Sequence, residues 1–253
     1  MTADKKRVLS LDISAGRYAD FVSHILLLAK KKRSSYVCTV NVHMMMEAHK
    51  DNSFARIVNE ADVASPDGVP VALALRLLHG IRQDRVAGMD LLPDIIRACE
   101  QQGLSVFFYG STTGVLNGIK KKIAAQHPAL RIAGLYSPPF RLLSCAEEED
   151  VVRLIDASGA NIVFVGLGCP RQEKWMSGMK GKINAVMIGV GGAFLVYAGL
   201  QKRAPLWMQR LAMEWMFRLL TEPSRLFKRY LFTNTLFLLL LTKNFLPFRR
   251  RLN

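Results

Sequence analysis

Residues 161–192 read NIVFVGLGCPRQEKWMSGMKGKINAVMIGVGG, and what alternates in this stretch decides the fold. The apolar run Asn161 to Val165 ends on Gly166, a polar cluster opens a helix, and a second apolar run, Ala185 to Ile188, ends on Gly189. Buried strands of a parallel sheet read as short apolar runs, and each needs a crossover of a dozen or more residues to return to the same edge. Ligands of such sheets sit beyond the carboxyl ends of the strands, so Gly166 and Gly189 mark that edge.

The pattern extends in both directions. Ser105 to Tyr109 is a strand closed by Gly110, Gly114 to Gln126 a helix with Val115, Ile119 and Ile123 on one face, and Ala146 to Asp156 a helix with an acidic first turn. Upstream, Tyr36 to Val42 reads as a strand, Met44 to Glu60 as a helix and Val63 to Ala64 as a short strand. Val69 to Leu78 and Leu91 to Gln101 are further helices. Strands alternating with helices predict an α/β chain, a parallel sheet with helices on both faces. Asn41 and Asp67 fall at its ligand edge.

The composition shifts near Gln201, where KRAPLWMQRLAMEWMFRLLTEPSRLFKRYLF begins. The reading is a core over residues 1–200 and a basic, aromatic-rich helical appendage over residues 201–253. Trp207, Leu211 and Trp215 recur at helical spacing, and Pro223 interrupts the helix. From Lys202 onward, eleven lysines and arginines face Glu214 and Glu222, in a chain of formal net charge +15. An excess of this size implies an anionic partner: nucleic acid, anionic lipid or a phosphorylated substrate. Tyr230 to Phe248 is apolar but broken by Thr, Asn and Lys, with Leu236 to Leu241 its uninterrupted run. It falls short of the roughly 20 apolar residues a span needs, and so reads as an element docking at an interface, or as a buried terminal helix.

The four cysteines show no CxxC and the five histidines no metal-ligand spacing. Neither metal nor cofactor is expected, the cysteines are expected reduced, and no signal-peptide run stands at the N-terminus, which predicts a cytoplasmic location. Asp-x-Asp is absent, so a bound diphosphate would be neutralised by arginine, lysine and backbone N–H groups. Four segments carry candidate chemistry. Gly110-Ser-Thr-Thr-Gly114 is a phosphate-binding helix start or a plain capped turn. Gly166 to Lys174 offers bare backbone at Gly166 and Gly168 with Arg171, Gln172 and Glu173 beside it, and Gly189 to Gly192, Gly191 included, is a ligand cradle or a packing turn. Asp67 is a proton acceptor or a helix cap. Arg85 is a diphosphate clamp or a surface arginine.

Six strings in order resemble the WecG/TagA/CpsF glycosyltransferase family, glycosyltransferase family 26. They are Thr39-Val-Asn41, Pro66-Asp-Gly68, Arg85-Val-Ala-Gly-Met-Asp90, Val165-Gly-Leu-Gly-Cys-Pro-Arg-Gln-Glu-Lys-Trp175, Ile188-Gly-Val-Gly-Gly-Ala-Phe194, and Lys202-Arg-Ala-Pro-Leu-Trp-Met-Gln-Arg210 continuing through Glu214-Trp215 to Arg229-Tyr230. The resemblance implies a Rossmann-like core, an inverting, metal-independent transferase, a UDP-sugar donor carrying N-acetylmannosamine, its uronic acid or another hexose or uronic acid, and a polyprenyl-diphosphate-linked acceptor in cell-surface polysaccharide synthesis. It also implies a peripheral location on the inner face of the membrane. By position it gives Asp67 the part of general base and sets Thr39 and Asn41 beside the sugar. Arg85 falls at the leaving diphosphate, Gln172 in the donor loop, and Arg203, Arg210, Arg218, Arg225 and Arg229 toward acceptor and membrane. Where many members read Pro-Glu after the asparagine, this chain reads Val42-His43, which favours a hexose or uronic acid donor over N-acetylmannosamine.

Three other readings account for parts of the chain: a basic nucleic-acid-binding protein, a non-catalytic membrane scaffold and an NAD-type oxidoreductase. No nucleic-acid motif accompanies the basic stretch and no GxGxxG is present, so nucleic acid is not expected as a partner. The Trp- and Leu-rich tail makes self-association off the membrane an expectation.

Overall fold

A computed structural model describes residues 4–211 and 213–250, apart from the side chains of Arg210, Arg225, Arg229 and residues 245–250. The chain opens with a hairpin, β1 (Lys5–Val8) and β2 (Leu11–Ser14), then α1 (Tyr18–Lys30), β3 (Ser35–Val40), α2 (Val42–Lys50), α3 (Asn52–Asn59) and β4 (Val63–Pro66). Next come α4 (Val69–His79), α5 (Gly88–Gln102), β5 (Val106–Gly110), α6 (Thr113–Gln126), β6 (Ile132–Tyr136), α7 (Cys145–Ala157), β7 (Ile162–Gly166), α8 (Arg171–Met179) and β8 (Val186–Gly189). Four helices finish the described chain: α9 (Ala193–Tyr197), α10 (Leu206–Arg210), α11 (Glu214–Thr221) and α12 (Pro223–Arg250).

The main sheet has six strands in the order β4-β3-β8-β7-β5-β6, every pair parallel. β3 and β4 run outward one way and β5 and β6 the other, and β7 and β8 fill the gap between them. The Rossmann-like architecture is as expected. Both faces are buried, and the strands supply each in alternation. Tyr36, Cys38, Val163, Val165 and Met187 enter a core shared with α2, α3, α4, α7 and α8. Val37, Ile162, Phe164, Val186 and Ile188 enter a second core with α1, α5, α6 and α9. Period two on both faces is why these runs read as nearly continuous apolar sequence.

Two local readings are corrected. The helix expected from Met44 to Glu60 is two helices, because Asp51 is extended (φ −124°, ψ 101°) and its carboxylate accepts from the N–H groups of Ser53 and Phe54, capping α3. The helix expected through Trp207, Leu211 and Trp215 stops at Arg210 and starts afresh at Glu214, which becomes the first residue of α11. Tyr230 to Phe248 lies within one long helix, α12, that packs against α2 and α4. Its Leu226, Phe237 and Leu241 are buried, while Phe227, Leu231, Phe232, Leu238 and Leu239 stand exposed. No helix among the described residues is long and apolar enough to cross a membrane.

Candidate active site

Asp67 occupies the corner between β4 and α4. Its N–H donates to the Val40 carbonyl at 2.8 Å, and the Val86 N–H donates to the Pro66 carbonyl at 2.9 Å. These bonds gather the ends of β3 and β4 and the segment leading into α5. Gly68 turns the chain with φ +117°, a conformation side chains resist, so α4 starts at once and leaves the Asp67 carboxylate at the sheet edge. Burial pushes that carboxyl up to about 6; Arg85 and Arg218 pull it down, and Glu214 and Asp90 push it up again. A carboxylate of this kind is ionised at neutral pH and is a better proton acceptor than a solvated aspartate.

Four charged side chains close a ring beside it. Arg85 donates to Asp90 at 2.6 Å and to Glu214 at 2.8 Å, and Arg203 donates to the other oxygen of Asp90 at 2.5 Å and of Glu214 at 3.2 Å. Burial alone would pull the Arg203 pKa down; Asp90 and Glu214 more than offset it, so the guanidinium stays charged. Arg203, expected toward acceptor and membrane, therefore sits in the site wall. Arg218 does as well: its Nη2 approaches Gly192, and its Nε is buried with no hydrogen-bond partner. Among the described residues no carboxylate lies within ion-pair distance of Arg218. The side chains of Arg210, Arg225 and Arg229 lie outside the described residues.

The remaining expected residues line the same edge in different ways. Thr39 donates its hydroxyl to the Gly189 carbonyl at 2.8 Å and is buried, tying β3 to β8 beneath the site. Gly88 opens α5 against this pair: a Cβ there would lie 3.4 Å from the Val190 Cα and 3.5 Å from the Thr39 hydroxyl. Asn41 caps α2, its side-chain oxygen accepting from the Met44 N–H at 3.1 Å. Gly110 and Gly166 face each other across β5 and β7, where a Cβ on Gly110 would come within 2.8 Å of the Gly166 backbone. β5 stands four strand positions from β4, roughly 19 Å across the sheet, so Gly110 shares the edge with Asp67 without adjoining it.

In the glycine-rich loop, Gln172 accepts from the Gly168 N–H at 3.2 Å and donates to Glu173 at 2.7 Å. Gln172 packs so closely on β8 that a Cβ at Gly189 would lie 2.9 Å from its nitrogen, and one at Gly191 would lie 3.3 Å from its oxygen. Gly168 has open space where a Cβ would be, and its φ of +81° keeps the loop backbone bare. Glu173 has no exposed surface, and burial pushes its carboxyl up to about 7 against the hydrogen bonds from Gln172 and Cys169. Whatever it contributes to a ligand passes through Gln172.

Sequence reasoning gave no role to Asp90 and Glu214. The available signal was Glu214 itself, an acid inside a strongly cationic stretch. Among the described residues no group of three or more His, Cys, Asp or Glu is placed to hold a metal ion.

The sequence profile of the family described as Glycosyl transferase WecG/TagA/CpsF matches residues 6–251. The chain belongs to this glycosyltransferase family. Two relatives bear the name N-acetylglucosaminyldiphosphoundecaprenol N-acetyl-beta-D-mannosaminyltransferase. The one from Bacillus subtilis (strain 168) is 34% identical over 196 residues, covering 77% of this chain and 75% of its own. The one from Bacillus spizizenii (strain ATCC 23059 / NRRL B-14472 / W23) is 32% identical over 222 residues, covering 87% and 84%. The aligned residues cannot be accommodated by the core alone in the second case, since 222 exceeds the 200 residues before the composition shift. By family the chain is a glycosyltransferase, a hexosyltransferase by class.

Proposed function

We propose that this glycosyltransferase moves a sugar from a UDP-sugar onto a polyprenyl-diphosphate-linked glycan in cell-surface polysaccharide synthesis, with Asp67 as general base. The observation that carries the reading is the Asp67 carboxyl, raised to about 6 at the sheet edge and faced by Arg85 and Arg218. The acceptor hydroxyl gives its proton to Asp67 as its oxygen bonds to the anomeric carbon. The bond from that carbon to the diphosphate oxygen breaks, UDP leaves with the electron pair, and the configuration inverts. Arg218 supplies positive charge for the departing diphosphate, Arg85 being matched by Asp90 and Glu214, and the bare backbone at Gly168 and Gly191 leaves room for the donor.

The relatives' names support N-acetylmannosamine among the donors the resemblance implies, beside the hexose or uronic acid that Val42-His43 favours. The exposed apolar side chains of α10 to α12 support a peripheral seat on an anionic membrane, with residues 201–253 as the attaching unit. The test is UDP release from a panel of UDP-sugars, with and without a short-chain polyprenyl-diphosphate-N-acetylglucosamine and with EDTA present. Acceptor-dependent release from one donor is expected. Silence across the panel from protein that still binds anionic vesicles overturns the reading.

A further inference from the structure

The ring of Arg85, Asp90, Arg203 and Glu214 joins two distant parts of the chain. Arg85 and Asp90 belong to the segment that opens α5, whereas Arg203 and Glu214 come from beyond the composition shift. Each carboxylate gives one oxygen to each guanidinium, so every charge has two opposite neighbours. Exposed ion pairs contribute little, but these side chains are 15–27% exposed, and removing one member leaves its partners half-neutralised away from bulk water.

The arrangement has a geometric consequence at Arg218. Glu214 and Arg218 are four residues apart on α11 and lie on one face of it. Fixing Glu214 against Arg85 therefore fixes the direction of Arg218, which approaches Gly192 and carries no partner on Nε. Arg85 is already matched by two carboxylates, whereas Arg218, whose charge also acts on Asp67, has none within ion-pair distance among the described residues. We propose that the ring is a lock seating α11 on the core, and that Arg203 and Glu214 are positioning residues that hold Arg218 facing Asp67. The kinetic part of this inference rests on the transferase reading above; the lock itself does not.

Hydrogen exchange on the full chain without substrate tests the lock. In Glu214→Gln and in Arg203→Gln, amides of residues 214–221 should exchange at least ~10-fold faster while β3 and β7 keep their protection. Unchanged exchange in α11 overturns the lock, and so does loss of protection in β3 and β7 as well, since the ring would then support the whole fold. The second arm compares kcat/KM for acceptor-dependent UDP release in Glu214→Gln, Arg218→Met and the double variant. If Glu214 works through Arg218, each single variant falls by ~10-fold or more and the double is no worse than the weaker single. Additive losses overturn the positioning role. A wild-type chain silent on every donor removes the transferase reading, while the exchange arm still judges the lock.

Discussion

Gln172 donates its side-chain nitrogen to Glu173 at 2.7 Å while its oxygen accepts from the Gly168 N–H at 3.2 Å, so one amide links a buried acid to the glycine loop. The second oxygen of Glu173 is buried without a partner. An ionised carboxylate there forgoes the solvation that its unfolded counterpart enjoys, and the proton is held up to about pH 7.

The sign of the resulting pH dependence is fixed. The folded state binds the Glu173 proton more tightly than the unfolded chain, so its contribution is fully present below the ordinary glutamate value and is lost as pH rises through about 7. Stability in urea should decline between pH 5 and 8. Glu173→Gln keeps an oxygen for the Gln172 amide and removes the titration, so it should flatten the decline and exceed wild type at pH 8 by up to ~3 kcal/mol. Identical slopes for the two proteins would show that Glu173 does not titrate in this range.

Asp67→Asn keeps the shape of the corner between β4 and α4, whose bonds to Val40 and Val86 are made by backbone. Turnover should fall by at least ~10²-fold, with donor affinity unchanged by equilibrium titration. The wild-type kcat/KM profile should rise with pH through about 6, the value at which Asp67 loses its proton, and that limb should vanish in the variant. Full activity in Asp67→Asn would remove this residue from the chemistry.

Arg218 pulls the Asp67 carboxyl down, and in the proposed reaction it supplies charge to the leaving diphosphate. Arg218→Met should therefore move the acid limb of the profile to higher pH and lower kcat by ~10²-fold, the usual scale for one lost electrostatic stabiliser. A lower kcat with the limb unmoved would place Arg218 on the diphosphate alone, without influence on the base.

Legibility of the sequence followed the distance over which each cause acts. β3, β5, β7 and β8 were readable because both faces of the sheet are buried, which makes each strand an apolar run, closed by glycine in β5, β7 and β8. β6 was not, since Ile132–Tyr136 is a half-buried edge strand containing Gly134, and neither was the β1–β2 hairpin, whose partly exposed residues mix charge with apolar character. Asp51 was missed as a break because an aspartate also fits an exposed helix position; only its extended backbone distinguishes a cap. The motifs placed Asp67, Thr39, Asn41 and Gln172 at one edge. They did not disclose that Glu173 is wholly buried, or that Glu214 meets Arg85 and Arg203 meets Asp90 across more than a hundred residues, because neither burial nor a long-range ion pair leaves a periodic trace.

The two faces of α12 should separate stability from membrane attachment. Phe237 and Leu241 are buried in the core that α12 shares with α2 and α4, whereas Phe232 and Leu239 are exposed and line a groove with Met46 and Lys50. Phe237→Ala should cost ~3–5 kcal/mol of unfolding free energy, since it empties a packed site. Phe232→Ser with Leu239→Ser should leave the unfolding midpoint within about 1 kcal/mol of wild type and weaken sedimentation with anionic vesicles, because most of the apolar surface they present faces solvent. Chemical denaturation and vesicle sedimentation on the same three proteins check both halves. If the double serine variant sediments like wild type, attachment resides in the basic side chains or in Trp207 and Trp215, and α12 serves the fold alone.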